Sequence, residues 1–461
     1  MTRTSPAAAG AAGMGLAVLA ASVGTSAANV ALPELAVAFD ASPGQVRWVV
    51  VAYLLGMTAT SVAVGDLGDR LGHRRVLLAG LALFGGAALA GACAPGLGVL
   101  VAARGVQGVG AAVMTALPLA IARATAGPER VGRTMGLLGT TSAVGTAAGP
   151  ALGGLLIGLG GWRAPFLAMV PVGLLALVLV ARGPVGDSPG ARPVRFDGPG
   201  AGLLIAATAL YGLALTAPTD RWPTGPLLVA AALLTAAFVL VETRSTHPVV
   251  PMRVLGSRAV AIGLGTNVVV AAVMMTTLVV GPFFLADALH LPVAAIGAIM
   301  AVGPVISAGT GIPAGRLVDR AGASVTVTVG LVMLTAGALA LAFFPVWWGV
   351  VGYVAALLVL TPGYQLFLAA NTTAMLNRTA ERHRGTAAGL LGLSRNLGLI
   401  TGASALGAVF TGAVGSVDPA AADGRPAAWR LTFLTAAALT AGAALASRFA
   451  ARARSGADRP G

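Results

Sequence analysis

The chain has 461 residues, of which 57% are hydrophobic and only 10% charged, with a formal net charge of +14. Soluble globular domains carry roughly 25% charged residues, so an ordinary soluble enzyme or binding domain is excluded. Uncharged apolar runs of about 18 residues or more, long enough to cross a bilayer core as helices, dominate instead.

Residues 1–11, with Arg3, carry no leader-type cleavage site and read as a cytoplasmic N-terminus before a retained first span. Spans are predicted at 12–32, 46–66, 76–95, 98–121, 134–158 and 164–181, forming an N-terminal six-helix half over 12–181. A linker, 182–258, holds two more at 199–217 and 224–242. That pair could instead be a central cytoplasmic domain, giving twelve spans, but neither segment has a polar face at helical period, so fourteen are expected. The C-terminal half, 259–447, takes spans at 259–285, 292–313, 323–344, 348–370, 386–412 and 429–447, and 448–461 is a basic cytoplasmic tail. The fold class is therefore an all-α polytopic membrane protein.

Charge placement sets the orientation. The chain has no lysine, and of its 29 arginines 22 fall on one side of this arrangement. Five fall on the other (Arg47, Arg163, Arg221, Arg425, Arg430), and Arg104 and Arg395 lie inside spans. Arginine-rich loops stay in the cytoplasm, which places both termini there. The same pattern accounts for the net charge without nucleic acid. Abundant alanine, glycine and arginine without lysine point to a GC-rich bacterial genome, hence a bacterial plasma membrane.

The densest charged stretch, Gly65-Asp66-Leu67-Gly68-Asp69-Arg70-Leu71-Gly72-His73-Arg74-Arg75, has a weaker copy 250 residues later, Gly315-Arg316-Leu317-Val318-Asp319-Arg320-Ala321-Gly322. A long-period repeat of one charged turn in apolar sequence indicates two similar halves. A topology signal needs the arginines but not Asp69 or Gly72, and a carboxylate near a helix N-terminus is stabilised by the macrodipole. An arginine inside a span is costly and so marks a functional position. Arg104, with Gln107 one turn away, either faces a cavity or snorkels to the interface. Gly145, Gly149, Pro150, Gly153 and Gly154 make a smooth, kinkable helix face. Asn29, Asn267, Gln365, Arg395 and Asn396 are candidates to line a cavity, although hydrogen bonding between helices explains most such polar residues. No Asp or Glu lies deep in a predicted span; Glu34, just past Pro33, is the nearest. Cys93 is alone, and His73, His247, His290 and His383 all fall in predicted loops without metal-ligand spacing. No nucleophile–base pair appears, so no catalytic residue, no metal and no enzyme are expected.

The first charged turn resembles the signature between the second and third spans of the major facilitator superfamily. That resemblance implies a cytoplasmic latch built from Gly65, Asp66, Asp69, Arg70, Gly72, Arg74 and Arg75, with Gly315, Asp319 and Arg320 as its counterpart. Leu100 to Gly110 resembles the fourth-span motif of proton-coupled members, and Gly145 to Gly154 the fifth-span motif of exporters. With Asn29-Val30-Ala31-Leu32-Pro33, Trp48 and Tyr53, Trp162-Arg163-Ala164-Pro165-Phe166, Gly385-Thr386-Ala387-Ala388-Gly389 and Ser394-Arg395-Asn396, nearly the whole chain is similar to the fourteen-span drug/proton antiporters. The resemblance implies two six-helix halves around a central cavity, a two-helix insert, and export of small amphipathic drug-like molecules in exchange for protons. Proton motive force would be the energy source and no cofactor would be needed; the sequence leaves the oligomeric state open, with a monomer as the expectation. One position departs: the family's first-span aspartate is Gly24 here. Arg104, Glu34 and Gln107 are then the proton-coupling candidates, with Asp66 and Asp69 as further carriers. Two rivals remain, a proton-independent facilitator and a non-transporting receptor or scaffold on the same fold.

Overall fold

The computed structural model describes residues 6–125, 128–183, 198–216, 224–245, 258–378, 384–415 and 424–455. Among them the chain is helical apart from short turns, with no strand. A bilayer cannot hydrogen-bond exposed backbone, so apolar segments close their own hydrogen bonds as helices. In order these are α1 (Pro6–Val30), α2 (Leu32–Ala38), α3 (Pro43–Val46), α4 (Trp48–Leu71), α5 (His73–Ala92), α6 (Leu97–Thr125), α7 (Pro128–Gly160), α8 (Ala164–Arg182), α9 (Gly198–Thr216) and α10 (Thr224–Arg244). Then come α11 (Arg258–Asp287), α12 (Val293–Ala321), α13 (Ala323–Arg378), α14 (Arg384–Thr401), a π-helical turn (Gly402–Leu406), α15 (Gly407–Gly415) and α16 (Gly424–Ser455). Eleven helices among the described residues are long and apolar enough to cross a membrane. Every predicted span overlaps a helix, and α13 takes two of them, bent where Gly349 adopts φ 56°.

Two compact units result. The first comprises Met1–Val249 with Val293–Ala301, the second Val250–Pro292 with Val302–Gly461. Within the first, α4 and α5 pack on α6, α1 on α7 and α8, and α10 on α9. Tyr53, Leu77, Leu81, Phe84, Met114 and Leu117 fill its core. Within the second, α11 packs on α14 and α16, and α13 on α16. Trp429 anchors this unit: its Nε1–H donates to Leu341 O at 2.5 Å, and its ring stacks on Phe284 at 4.2 Å and leans on Phe433 at 4.4 Å.

The repeated charged stretch is not a loop. It forms the last turns of α4, one glycine, and the start of α5. Gly72 has φ 92° and its N–H caps Gly68 O at 2.9 Å; Gly322 has φ 80° and caps Val318 O at 2.9 Å. Both copies therefore build the same helix–glycine–helix corner. His73, expected in a loop, begins α5 and is buried, because one glycine suffices to turn the chain. His290 does sit in a turn, at φ 52°. His247, His383, Arg3, Arg192, Arg195, Arg221, Arg253 and Arg382 lie outside the described residues, as does the end of the basic tail from 456. A side chain at such a positive φ is strained by about 1–3 kcal/mol. Gly72→Ala and Gly322→Ala should each lower stability by about that amount, read as a fall in the detergent-solubilised melting temperature.

Candidate functional site

Arg104 sits in the second turn of α6 and does not snorkel: it is 2% exposed. Its guanidinium ties three helices together. Nε donates to Val49 O of α4 at 3.0 Å, Nη2 to Gly24 O of α1 at 3.1 Å, and Nη1 to Gln107 Oε1 on its own helix at 2.6 Å. The Tyr53 ring lies under it at 4.1 Å and Phe166 at 5.8 Å. Such a cation–π contact gains strength when desolvated. Tyr53 is itself held, its hydroxyl donating to Ala21 O at 2.9 Å and accepting from Thr25 Oγ1 at 3.3 Å.

The guanidinium thus rests on carbonyls and rings. At Gly24 an added Cβ would stand 3.1 Å from Phe84 Cζ and 3.5 Å from Tyr53 Oη, so aromatic side chains occupy the space beside it. The sequence pointed to Arg104 and Gln107 but could not name Val49 or Gly24 as partners, since every residue has a carbonyl. Gln107 Nε2 and Asn29 Oδ1 are buried without a partner among the described residues, while Asn29 Nδ2 bonds Thr25 O in its own helix at 3.3 Å.

The glycine motif of α7 has two working faces. Gly145, Gly149 and Gly153, four residues apart, lie against Leu19, Ser26 and Ala27 of α1. Pro150 and Gly154 turn instead to the first residues of α12, within the same unit. There a Cβ on Gly154 would stand 2.8 Å from Gly297 Cα and 2.8 Å from Val293 O, and one on Gly297 would stand 2.5 Å from Pro150 O. At both glycines the nearest atoms across the contact are backbone. Gly297, which the sequence reading missed, is the partner; its signal was small-residue spacing with Ala301.

Of the latch candidates, Gly65 and Asp66 lie within α4. Asp69 faces the buried His73 one turn on, Oδ1 to Nε2 at 3.2 Å. Arg70 closes the last turn of α4, and Arg75 is exposed in the first turn of α5. Arg74 Nη2 donates to Ala181 O at the end of α8, 2.5 Å away, the favoured place for a cation on a helix C-terminus. In the second unit, Asp319 and Arg320 occupy the matching turn of α12 before Gly322, both exposed, and Gly315 lies two turns earlier.

Glu34, in the first turn of α2, accepts the Trp162 N–H at 3.1 Å. Trp162 packs on Phe39 at 5.0 Å and under the Arg163 guanidinium at 4.2 Å. Burial raises the Glu34 carboxyl above its ordinary 4.5, and the Trp162 N–H partly opposes that rise. A raised carboxyl adds stability below pH 4.5 that is lost as pH climbs through the folded value. Glu34→Gln, which keeps the acceptor, should therefore flatten the dependence of melting temperature on pH just above 4.5, compared with wild type.

In the second unit, Asn267 Nδ2 donates to Leu391 O at 3.0 Å and to Ser394 Oγ at 2.8 Å, fastening α11 to α14. Gln365 of α13 donates to Ser307 of α12. Arg395 is exposed and Asn396 half-buried on α14. Asn267, Gln365, Arg395 and Asn396 all belong to the second unit, whereas Arg104 belongs to the first. Among the described residues no group of His, Cys, Asp and Glu could hold a metal.

Comparison with known proteins agrees with this architecture. The family model described as Major Facilitator Superfamily matches residues 14–403 and 262–461. The multidrug resistance protein Stp of Mycobacterium tuberculosis is 32% identical over 404 residues, covering 83% of this chain and 72% of Stp. The drug efflux pump JefA of the same organism is 31% identical, covering 88% of this chain and 80% of JefA. A solved bacterial homologue of the human lysosomal transporter Spinster superposes with a TM-score of 0.72 at 15% identity, covering 98% of both chains.

Proposed function

Because the chain belongs to the major facilitator superfamily, we propose that it is a fourteen-span exporter of small amphipathic, drug-like molecules, driven by inward proton flow. Both termini face the cytoplasm of a bacterial cell, six helices form each half, and α9 and α10 are the insert. The relatives named for multidrug resistance and drug efflux support the substrate class. It works as a monomer, performs no covalent chemistry and needs no cofactor beyond the proton gradient.

One observation carries the reading: the bare contact of Pro150 and Gly154 with Gly297. Alternating access needs local contacts that slip in every cycle, and this one joins α7 to the first turns of α12 within one compact unit. A contact made by glycine backbone lets helices approach closely and slip without rotamer changes at those positions. The opposite face of α7 stays fixed on α1, so the helix moves with its own bundle. Arg104 holds a fixed positive charge inside that same bundle, buried among α1, α4 and α6. Glu34 is the carboxyl placed to exchange the proton at the arginine-poor side.

Gly24 favours a second reading. With no carboxylate opposite Arg104, the chain would carry substrate downhill without proton coupling.

Transport itself is tested in a susceptible bacterium stripped of its own exporters. Cells expressing the protein should accumulate several-fold less ethidium than control cells, and Asp69→Asn should abolish the difference at equal membrane expression. Unchanged accumulation in the variant would favour a receptor or scaffold.

A further inference from the structure

In the second unit, the last turns of α12 and the second arm of α13 enclose a pocket of about 430 Å³. Pro313 and Leu317 of α12 and Pro362 and Leu366 of α13 supply its apolar walls, and Arg316 and Arg320 supply its charge. The size lies within the roughly 300–1,000 Å³ of small-ligand sites. Among the described residues no acidic side chain lines it. Just beyond it, the hydrogen bond from Gln365 to Ser307 ties the two helices together, so the walls are held in place.

The two arginines are four residues apart and share a helix face, where like charges repel. Neither has a hydrogen bond or ion pair among the described residues, in contrast to Arg74 and Arg104. A guanidinium pair over an apolar floor suits one chemistry well, a phosphate ester carrying a hydrocarbon tail. The planar forks take the phosphate oxygens two at a time, and the floor takes the first carbons. The apolar stripe continues along α12 through Ile312 and Val305, 69% and 63% exposed. These recur four and eleven residues before Arg316, on the same face. The arginines also fall at the end of an apolar helix on its arginine-rich side, the level at which anionic headgroups lie.

We propose that this pocket binds an anionic phospholipid, its phosphate clamped between Arg316 and Arg320 and one acyl chain lying along Ile312 and Val305. The full-length protein would be placed in phosphatidylcholine nanodiscs with increasing phosphatidylglycerol, and retained lipid would be measured by native mass spectrometry after partial delipidation. Wild type should retain phosphatidylglycerol in preference to phosphatidylcholine. Arg316→Gln/Arg320→Gln should reduce that preference by about tenfold, the effect of losing charge-assisted hydrogen bonds. Arg244→Gln, an arginine at another helix end, should leave it unchanged. Leu317→Trp, which fills the pocket but keeps both charges, should displace the lipid too. Equal retention in wild type and the double variant would overturn the proposal. So would displacement of the lipid by millimolar glycerol 3-phosphate, which would assign the pocket to a soluble phosphate ester.

Discussion

Arg104→Lys should lose export as completely as Arg104→Ala, although lysine keeps the charge. The guanidinium reaches Val49 O, Gly24 O and Gln107 Oε1, on three helices' worth of surroundings, from three different nitrogens. An ammonium is a compact point charge that cannot span those acceptors from one position, nor lie flat on the Tyr53 ring. Misplacing α1 against α4 and α6 by about 1 Å is enough to cost on the order of 10² in rate. Initial efflux should fall by about that factor. Folding should survive: the alanine variant leaves Gln107 Oε1 without its donor, a loss of about 1–3 kcal/mol. Efflux rate and melting temperature measured on the same preparation separate the two effects. A lysine variant that transports normally would show that only the charge matters.

Gly154→Val should stop the cycle while leaving a folded protein. Its side chain would collide with Gly297 and the Val293 carbonyl, both backbone, which cannot move aside as a flexible side chain can. The helices must separate, so the contact stays open, and export should drop by about 10² or more. Gly149→Val differs in kind. It drives a side chain into Ser26 in the packed face against α1, and overpacking of that sort costs about 1–3 kcal/mol of stability. Gly158→Val is the control on the same helix, because an added Cβ there meets only Ala294 Cβ at 3.9 Å. Cysteines introduced at exposed positions of α7 would report the trapped state by their labelling rates. Normal export by Gly154→Val would remove the contact from the mechanism.

The helices were legible in the sequence because lipid leaves the backbone no alternative, and the apolar runs therefore mark them directly. The repeat was legible for the same local reason: Gly72 and Gly322 each stand where a chain must turn with a positive φ. Less was readable where geometry depends on distant backbone. The bend at Gly349 lets one helix carry two predicted spans, which apolar pattern alone does not distinguish from a short loop. Arg104 announced itself by its cost inside a span, but its partners are carbonyls and have no sequence signature. Asn267 was readable as a polar residue in a span, yet only the structure places it on Leu391 and Ser394, 124 and 127 residues away. Gly297 and the pocket at Arg316 required the packing of α12, which brings together residues far apart in the chain and has no signature in composition.

Proton coupling is the central claim, and purified protein in liposomes tests it most directly. A fluorescent cationic dye would be followed under an imposed pH gradient, with and without an ionophore that collapses the gradient. Proton-driven export predicts dye movement against its concentration gradient that stops when the ionophore is added, and that is lost with Glu34→Gln. Dye movement that only runs downhill and ignores the ionophore would contradict it, and would make the chain a facilitator whose Gly24 marks the absence of a coupling acid.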